Sequence, residues 1–143
     1  MPKSTSVCNS ILALIYNATP WPNIADNAAA APINTIQMAL ATDSYGPAST
    51  LATNEAAYSN YVRQTTPRST AGWTEPANGA IQNAAAVEYP QCGATGAAIK
   101  SAATGKAAGA GAIFHYGDLN SPIQVSNQIQ PRFPAGAITI TET

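Results

Sequence analysis

The sequence predicts a mainly β fold, a jelly-roll-like two-sheet sandwich with a short N-terminal helix. Apolar and polar residues alternate in several short stretches, which is the pattern of half-buried strands. Proline and glycine interrupt these stretches at a spacing of roughly 10–15 residues, which is typical of sandwiches and barrels. Only one stretch, near the N-terminus, repeats its apolar residues at helical spacing. A sandwich is favoured because it buries two apolar faces and leaves few exposed edges.

The helix is predicted over residues 5–16. The hydroxyls of Ser4, Thr5 and Ser6 can accept from the first backbone N–H groups, and Asn17 with the following prolines ends the helical pattern. Its predicted apolar face is formed by Val7, Ile11, Leu14 and Ile15. This face either packs on the core of its own domain or serves as a docking arm for a neighbouring subunit.

About eight strands are predicted. They cover residues 36–42, 58–66, 69–74, 81–89, 97–102, 112–116, 123–129 and 137–141. Asn78-Gly79 and Gly117-Asp118 are predicted turns, since both dipeptides suit a reversal of the chain. Residues 93–111 carry mostly small side chains, so we expect them to contribute little to a core and to end in a flexible tip at 104–111.

The length of 143 residues predicts a single domain, with residues 1–32 as helix and arm and 33–143 as the sandwich. The first residues lack the long apolar run of a secretory signal, so we expect no export. Cys8 and Cys92 match no metal-binding spacing, and we expect two reduced, buried thiols; a disulfide is the less favoured alternative.

Charge and motifs argue against several function classes. Charged residues make up 9% of the chain and the net charge is -1, which predicts no nucleic-acid partner, and no apolar run is long enough for a membrane span. The acids are scattered and His115 lies in a predicted strand, so we expect no catalytic residues, metal or cofactor. The glycines around Lys106 resemble a phosphate loop, but Ala107 replaces the required Ser or Thr.

Protein contacts are the remaining candidate function for exposed residues. Arg63 and Arg68 flank a predicted turn near Trp73, and arginine and tryptophan are favoured at the centres of interfaces. The alternative is a solvated loop. We expect contacts from the helix, from segments 21–32 and 42–54 and from the 105–111 loop. The candidate contact residues are Ile11, Ile15, Trp21, Tyr45, Arg63, Arg68, Trp73 and Lys106.

Several short blocks, in a shared order and spacing, resemble a family of small virion proteins of tailed bacteriophages. They include Leu14-Ile15-Tyr16-Asn17-Ala18-Thr19, Asn54-Glu55-Ala56-Ala57-Tyr58, Tyr61-Val62-Arg63, Gly72-Trp73-Thr74, Tyr89-Pro90, Tyr116-Gly117-Asp118-Leu119, Val125-Ser126-Asn127 and the ending from Pro134 to Glu142. The resemblance covers most of residues 7–143. The loop at 43–47 departs from the family pattern, so its contacts are not carried over.

The resemblance implies a small β-rich structural part of the particle, without catalytic or ligand-binding residues. We expect a capsid decoration, or cement, protein that is made in the host cytoplasm and binds the outer surface of the major capsid protein. A low-charge surface suits such contacts, because few charges lose water on binding. We also expect self-association into dimers or trimers. The alternative is a tail-tip or tail-fibre-associated structural or receptor-binding module.

Overall fold

The computed structural model describes residues 2–22, 24–25, 32–106 and 111–143. One helix, α1 (Thr5–Tyr16), precedes eight strands. The strands are β1 (Thr35–Ala41), β2 (Gln64–Pro67), β3 (Ala80–Gln82), β4 (Val87–Glu88), β5 (Ala97–Gly105), β6 (Ile113–Val125), β7 (Arg132–Phe133) and β8 (Thr139–Thr141). A four-stranded sheet has the order β2-β1-β5-β6, and β3 with β8 and β4 with β7 form two-stranded sheets.

The predicted fold class is confirmed: the chain is mainly β, with antiparallel sheets and one short N-terminal helix. The chain divides into two compact units. Unit 1 contains Met1–Thr35, Thr66–Val87 and Phe133–Thr143, and unit 2 contains Ile36–Thr65 and Glu88–Arg132. The jelly-roll arrangement of two sheets and the single domain stay predictions.

Helix α1 covers the predicted residues and is capped by Ser4, whose hydroxyl accepts from the N–H of Val7. The predicted apolar face was wrong. Cys8, Leu12 and Tyr16 are the buried residues, so the buried stripe is rotated from the one that contains Ile11 and Ile15. The cause is tertiary packing, because α1 contacts β3 and the turn before it, where Gly79 N–H donates to the side chain of Asn9 at 2.7 Å.

Unit 1 also contains the antiparallel pair of β3 and β8, in which Ile81 lies opposite Ile140. Most of the predicted strand at 69–74 is instead a turn, where the N–H groups of Gly72 and Trp73 both donate to the Ser69 carbonyl, and Trp73 makes an isolated antiparallel bridge with Asn83. A Cβ at Gly72 would lie 2.1 Å from the Pro67 carbonyl oxygen, so this turn requires glycine. The Asn78-Gly79 turn is confirmed, with φ values of 52° and 76°.

Unit 2 is built on most of the four-stranded sheet. Strand β5 was underpredicted, since it continues to Gly105 and buries Ile99, Ser101 and Ala103. Small side chains form a core here because the loop that follows β1 covers the sheet closely. A cluster of Ala39, Ala41, Tyr45, Leu51 and Ala103 results.

Two more predictions in unit 2 were wrong. Gly117 and Asp118 are not a turn, since they pair with Ala102 and Ser101 inside the long strand β6. Residues 58–61 are a turn rather than a strand, with the Tyr61 N–H donating to the Tyr58 carbonyl and Asn60 at a φ of 76°. Sheet pairing overrides local turn preference in the first case, and a left-handed residue interrupts the strand in the second.

The remaining strand predictions were partly right. The predicted strand at 81–89 consists of two pieces, β3 and β4. Of the predicted strand at 123–129, residues 123–125 are the end of β6, and residues 126–129 form a turn in which the Ile129 N–H donates to the Ser126 carbonyl. The predicted tip at 104–111 begins inside β5, and its centre, 107–110, lies outside the described residues. Most of the predicted arm at 21–32 also lies outside them. Both cysteines are buried and neither forms a disulfide, as expected.

Candidate interaction surface

Two of the predicted contact residues are interior residues. Trp73 is 0% exposed, its ring lies against Tyr16 with centroids 4.6 Å apart, and its Nε1 donates to the Thr66 hydroxyl at 3.0 Å. Tyr45 is 7% exposed within the small-residue cluster of unit 2. Neither offers a large contacting face, which corrects the prediction for both. Large aromatic side chains bury the most apolar area, so they are favoured in a core.

Arg63 is held by an acid of its own unit. Its Nε and Nη2 donate to the two carboxylate oxygens of Glu55 at 2.6 and 2.7 Å, and Nη1 donates to Gln37 at 3.4 Å. The hydrogen bonds that Arg63 donates to Glu55 raise the pKa of Arg63 above its usual value. This two-pronged geometry satisfies the guanidinium internally. The predicted role as an anchor on a partner is therefore not what the contacts show.

Arg68 ties the end of helix α1 to the following chain. Its guanidinium donates to the carbonyls of Leu14, Ile15 and Ile33, at 2.5, 2.7 and 3.1 Å. The last carbonyls of a helix have no partner within it and carry partial negative charge, so an arginine there satisfies and stabilises them. Partial burial lowers the pKa of Arg68. Its role is structural, so the predicted role as an anchor on a partner is not what these three hydrogen bonds show.

The other four predicted contact residues keep some accessible surface. Ile11, Ile15 and Trp21 are half-buried, and Lys106 is exposed at the end of β5. Trp21 also begins a tight turn in which its N–H donates to the carbonyl of Ala25. Their role in binding stays a prediction.

Unit 2 contains a tyrosine cluster beside a shallow open groove. Tyr58 and Tyr61 meet edge to face with centroids 5.3 Å apart, and Tyr61 stacks on Tyr89 at 6.1 Å. The Tyr58 hydroxyl donates to the Pro90 carbonyl, and Tyr61 accepts from the N–H of Leu40. Burial raises the pKa of Tyr58 to about 12 and raises those of Tyr61 and Tyr89 further. The hydroxyls of Tyr58 and Tyr61 stay neutral at ordinary pH and act as hydrogen-bonding groups.

Sequence reasoning missed a different surface, the outer edge of β6. Strand β6 is the last strand of its sheet, and within the described ranges no strand pairs with its outer edge between Ile113 and Val125. Its side chains are mostly exposed or half-exposed, and Tyr116 is 46% exposed. The prediction of a turn at 117–118 had divided this strand.

Polar contacts fix one face of the sheet beside this edge. Ser44 donates to Asp118 at 2.9 Å, and Lys100 contacts Asp43 at 3.2 Å. The backbone N–H of Ser44, together with Lys100, lowers the pKa of Asp43. The ring centroids of Tyr45 and Tyr116 are 6.3 Å apart. These contacts attach the loop after β1 to the sheet.

Across residues 2–22, 24–25, 32–106 and 111–143, no three His, Cys, Asp or Glu side chains are grouped so that they could hold a metal ion. Within the same ranges, no helix has both the length and the apolar character needed to cross a membrane. The titratable groups described above instead make structural contacts.

The fold and these contacts define a small, mainly β structural protein of antiparallel sheets. The chain belongs to the family described as podophage GP4 fiber I protein gp80, whose model matches residues 15–141. It is therefore a structural protein of a tailed-phage virion, as the resemblance predicted. No curated protein matches the chain.

Proposed function

We propose that this chain is a structural subunit of a phage fibre and acts by protein–protein contacts rather than by catalysis. The observation that carries the proposal is the family match, because it extends over residues 15–141 and the family is described as a fibre protein. The contacts of the chain are consistent with this role. Arg63 and Arg68, which the sequence offered as partner anchors, instead make hydrogen bonds within the chain, to Glu55 and to the Ile15 carbonyl.

This proposal favours the fibre role, which the sequence offered as the alternative, over capsid decoration. Capsid decoration, with the major capsid protein as partner and the outer shell as location, stays a prediction, and the family description favours the fibre alternative. A receptor-binding role would need an accessible recognition surface. Trp73 is buried and Trp21 is half-buried, so the two tryptophans supply no exposed pair for stacking on a sugar.

Location and copy number in the particle test the proposal. Antibody-gold labelling of intact virions should place the chain at the fibres, and quantitative mass spectrometry should find few copies relative to the major capsid protein. Label spread over the head, with copies in the hundreds, would refute the fibre assignment and support decoration. A matched control is a labelled known head protein in the same preparation, which calibrates both measurements.

The proposal that the chain is not an enzyme has its own test. Purified protein should release no soluble fragments from peptidoglycan or from host surface polysaccharide, whereas a lytic enzyme used as positive control should. Activity that co-purifies with the wild-type chain, and is lost in an Asp118→Asn or His115→Gln variant that folds normally, would contradict it.

A further inference from the structure

We propose that Asn78 is a modification site, where the backbone nitrogen of Gly79 displaces the side-chain amide, and that helix α1 controls this reaction through Asn9. Asn78 is exposed, and it is the one asparagine of the chain that glycine follows. Asparagine is among the thermolabile residues of proteins. Because glycine has no side chain to crowd its own nitrogen, that nitrogen can approach the amide carbon of the asparagine before it.

The reaction needs water and no other reactant. The Gly79 nitrogen gives its proton to solvent and forms a bond with Cγ of Asn78. The bond from Cγ to Nδ2 breaks, and this nitrogen takes up a proton and leaves as ammonia. Water then opens the resulting succinimide ring at one of its two carbonyl carbons, which gives aspartate or isoaspartate. Nothing is oxidised or reduced, and the chain gains one carboxylate.

The folded chain holds the Gly79 nitrogen in a position where it cannot react. Gly79 is buried, and its N–H donates to Oδ1 of Asn9 at 2.7 Å. The turn is closed on both sides, since Ala77 and Ala80 exchange two backbone hydrogen bonds of 2.9 Å. These bonds fix the backbone of Asn78 in the left-handed region, at a φ of 52°. Attack requires the nitrogen to lose its proton and the peptide to rotate, so these bonds must break first.

Helix α1 is the element that covers this nitrogen. Asn9 follows the buried Cys8 in α1, and the helix packs on β3, directly after the turn. A Cβ built on Gly79 would lie 3.4 Å from the Cβ of Cys8, so the helix leaves little room above the glycine. Elements near a chain terminus open locally at a lower free energy than the whole fold. The rate of modification should therefore follow the fraction of chains in which α1 has left the turn.

The isoaspartate product makes this opening permanent. Isoaspartate adds one carbon atom to the backbone, whereas aspartate keeps its length. A turn of two residues has no slack for that atom, since the Gly79 carbonyl accepts from the Glu142 N–H at 2.8 Å and Ile81 lies opposite Ile140. Displacing Gly79 moves its N–H away from Asn9, so α1 loses its place on the turn. The inference is independent of where in the virion the chain is located.

Mass spectrometry of digested protein tests the site in the unmodified chain. Folded protein and protein in urea are incubated at mildly alkaline pH, and the converted fraction of Asn78 is followed with time. Asn120, which is exposed and followed by serine, is the internal reference. In urea Asn78 should convert faster than Asn120, and folding should slow its conversion at least about tenfold. Conversion of Asn78 as fast in folded protein as in urea, or no faster than Asn120 in urea, overturns the proposal.

Variants of helix α1 test the role of Asn9. Asn9→Ala removes the acceptor of the Gly79 N–H and should speed conversion in the folded chain about fivefold or more. Asn9→Asp keeps an acceptor oxygen, so its rate should stay within about twofold of wild type. Ser10→Ala, at a half-buried neighbour on the same helix, is the matched control and should also convert slowly. Circular dichroism verifies folding, and equal rates for Asn9→Ala and Ser10→Ala overturn the control by α1.

The effect of the product on the helix is measured on separated chains. Isoaspartate-containing protein, isolated by ion exchange, should show weaker helical ellipticity than unconverted protein, because a short helix without packing is marginally stable. Equal ellipticity of the two forms would show that the modified turn still holds α1 and would overturn this step. The comparison uses wild-type chains, so it stands even if Asn9→Ala does not fold.

Discussion

Replacing Arg68 with alanine is expected to loosen helix α1 and to destabilise unit 1. The guanidinium donates to three backbone carbonyls, two of them in the last turn of the helix. A hydrogen bond from a charged donor contributes about 1.5–3 kcal/mol. Because the carbonyls are only partly buried, water replaces some of the lost hydrogen bonds. The free energy of unfolding should therefore fall by about 2–4 kcal/mol, which includes the lost interaction of the charge with the helix dipole.

Arg132→Ala is the matched control. Arg132 pairs with Glu88 at 2.9 Å, but the two side chains are 57% and 51% exposed, so this ion pair contributes less than about 1 kcal/mol. Both variants remove the same guanidinium and change net charge equally. An Arg68→Lys variant keeps the charge but not the planar fork of donors, and we expect a stability between wild type and Arg68→Ala.

Urea unfolding followed by tryptophan fluorescence measures the difference, since Trp73 lies in unit 1 beside Tyr16 of the helix. Ellipticity at 222 nm, which follows the helix, should show the same ordering of the variants. A loss for Arg68→Ala no larger than that for Arg132→Ala would refute the reasoning. It would mean that the helix end is held by its packing on β3 rather than by the arginine.

Three further changes probe polar groups in the core. Asn83 is 1% exposed and makes three hydrogen bonds to backbone groups, so Asn83→Leu should cost about 3 kcal/mol or more in urea unfolding, with exposed Asn120→Leu nearly neutral as control. The buried Tyr45 hydroxyl has no hydrogen-bond partner among the residues that the structure describes, so Tyr45→Phe should be neutral or stabilising by about 1 kcal/mol; a clear loss of stability would contradict this. Burial raises the pKa of Tyr45 and Tyr58 to about 12, so the folded chain keeps protons that the unfolded chain releases near pH 10. Stability should be insensitive to these groups below pH 10 and fall between pH 10 and 12, less steeply in Tyr45→Phe; an unchanged urea midpoint over that range would contradict it.

Local features of the fold could be read from the sequence. The bounds of α1 were predicted correctly because Ser4 caps the first turn and Asn17 with the prolines ends the last, and all of these act within a few residues. The Asn78-Gly79 turn was predicted for the same reason. The buried face of the helix was not predicted correctly, because it is determined by contact with β3, about seventy residues further along the chain.

Features that depend on distant partners could not be read. Arg68 donates to Ile15, 53 positions away, and nothing in either neighbourhood indicates the other. The run of small residues in β5 looked too poor in apolar area for a core, yet Ala103 and Ser101 are buried because a covering loop lies close to them. Gly117-Asp118 has turn-forming residues, and only pairing with Ala102 and Ser101 keeps it in a strand.

The distribution of charge connects the fold to the proposed contacts. Five of the six lysines and arginines contact acids or carbonyls within the chain: Lys3, Arg63, Arg68, Lys100 and Arg132. A protein that uses its charges in this way has little left with which to attract a partner electrostatically. Recognition must then come from shape, apolar side chains and backbone hydrogen bonds, which do not weaken with salt as surface ion pairs do. Association of this chain should therefore be nearly independent of ionic strength. Sedimentation velocity from low to high salt measures that dependence, and strong dissociation by salt would show that charged surfaces drive assembly instead.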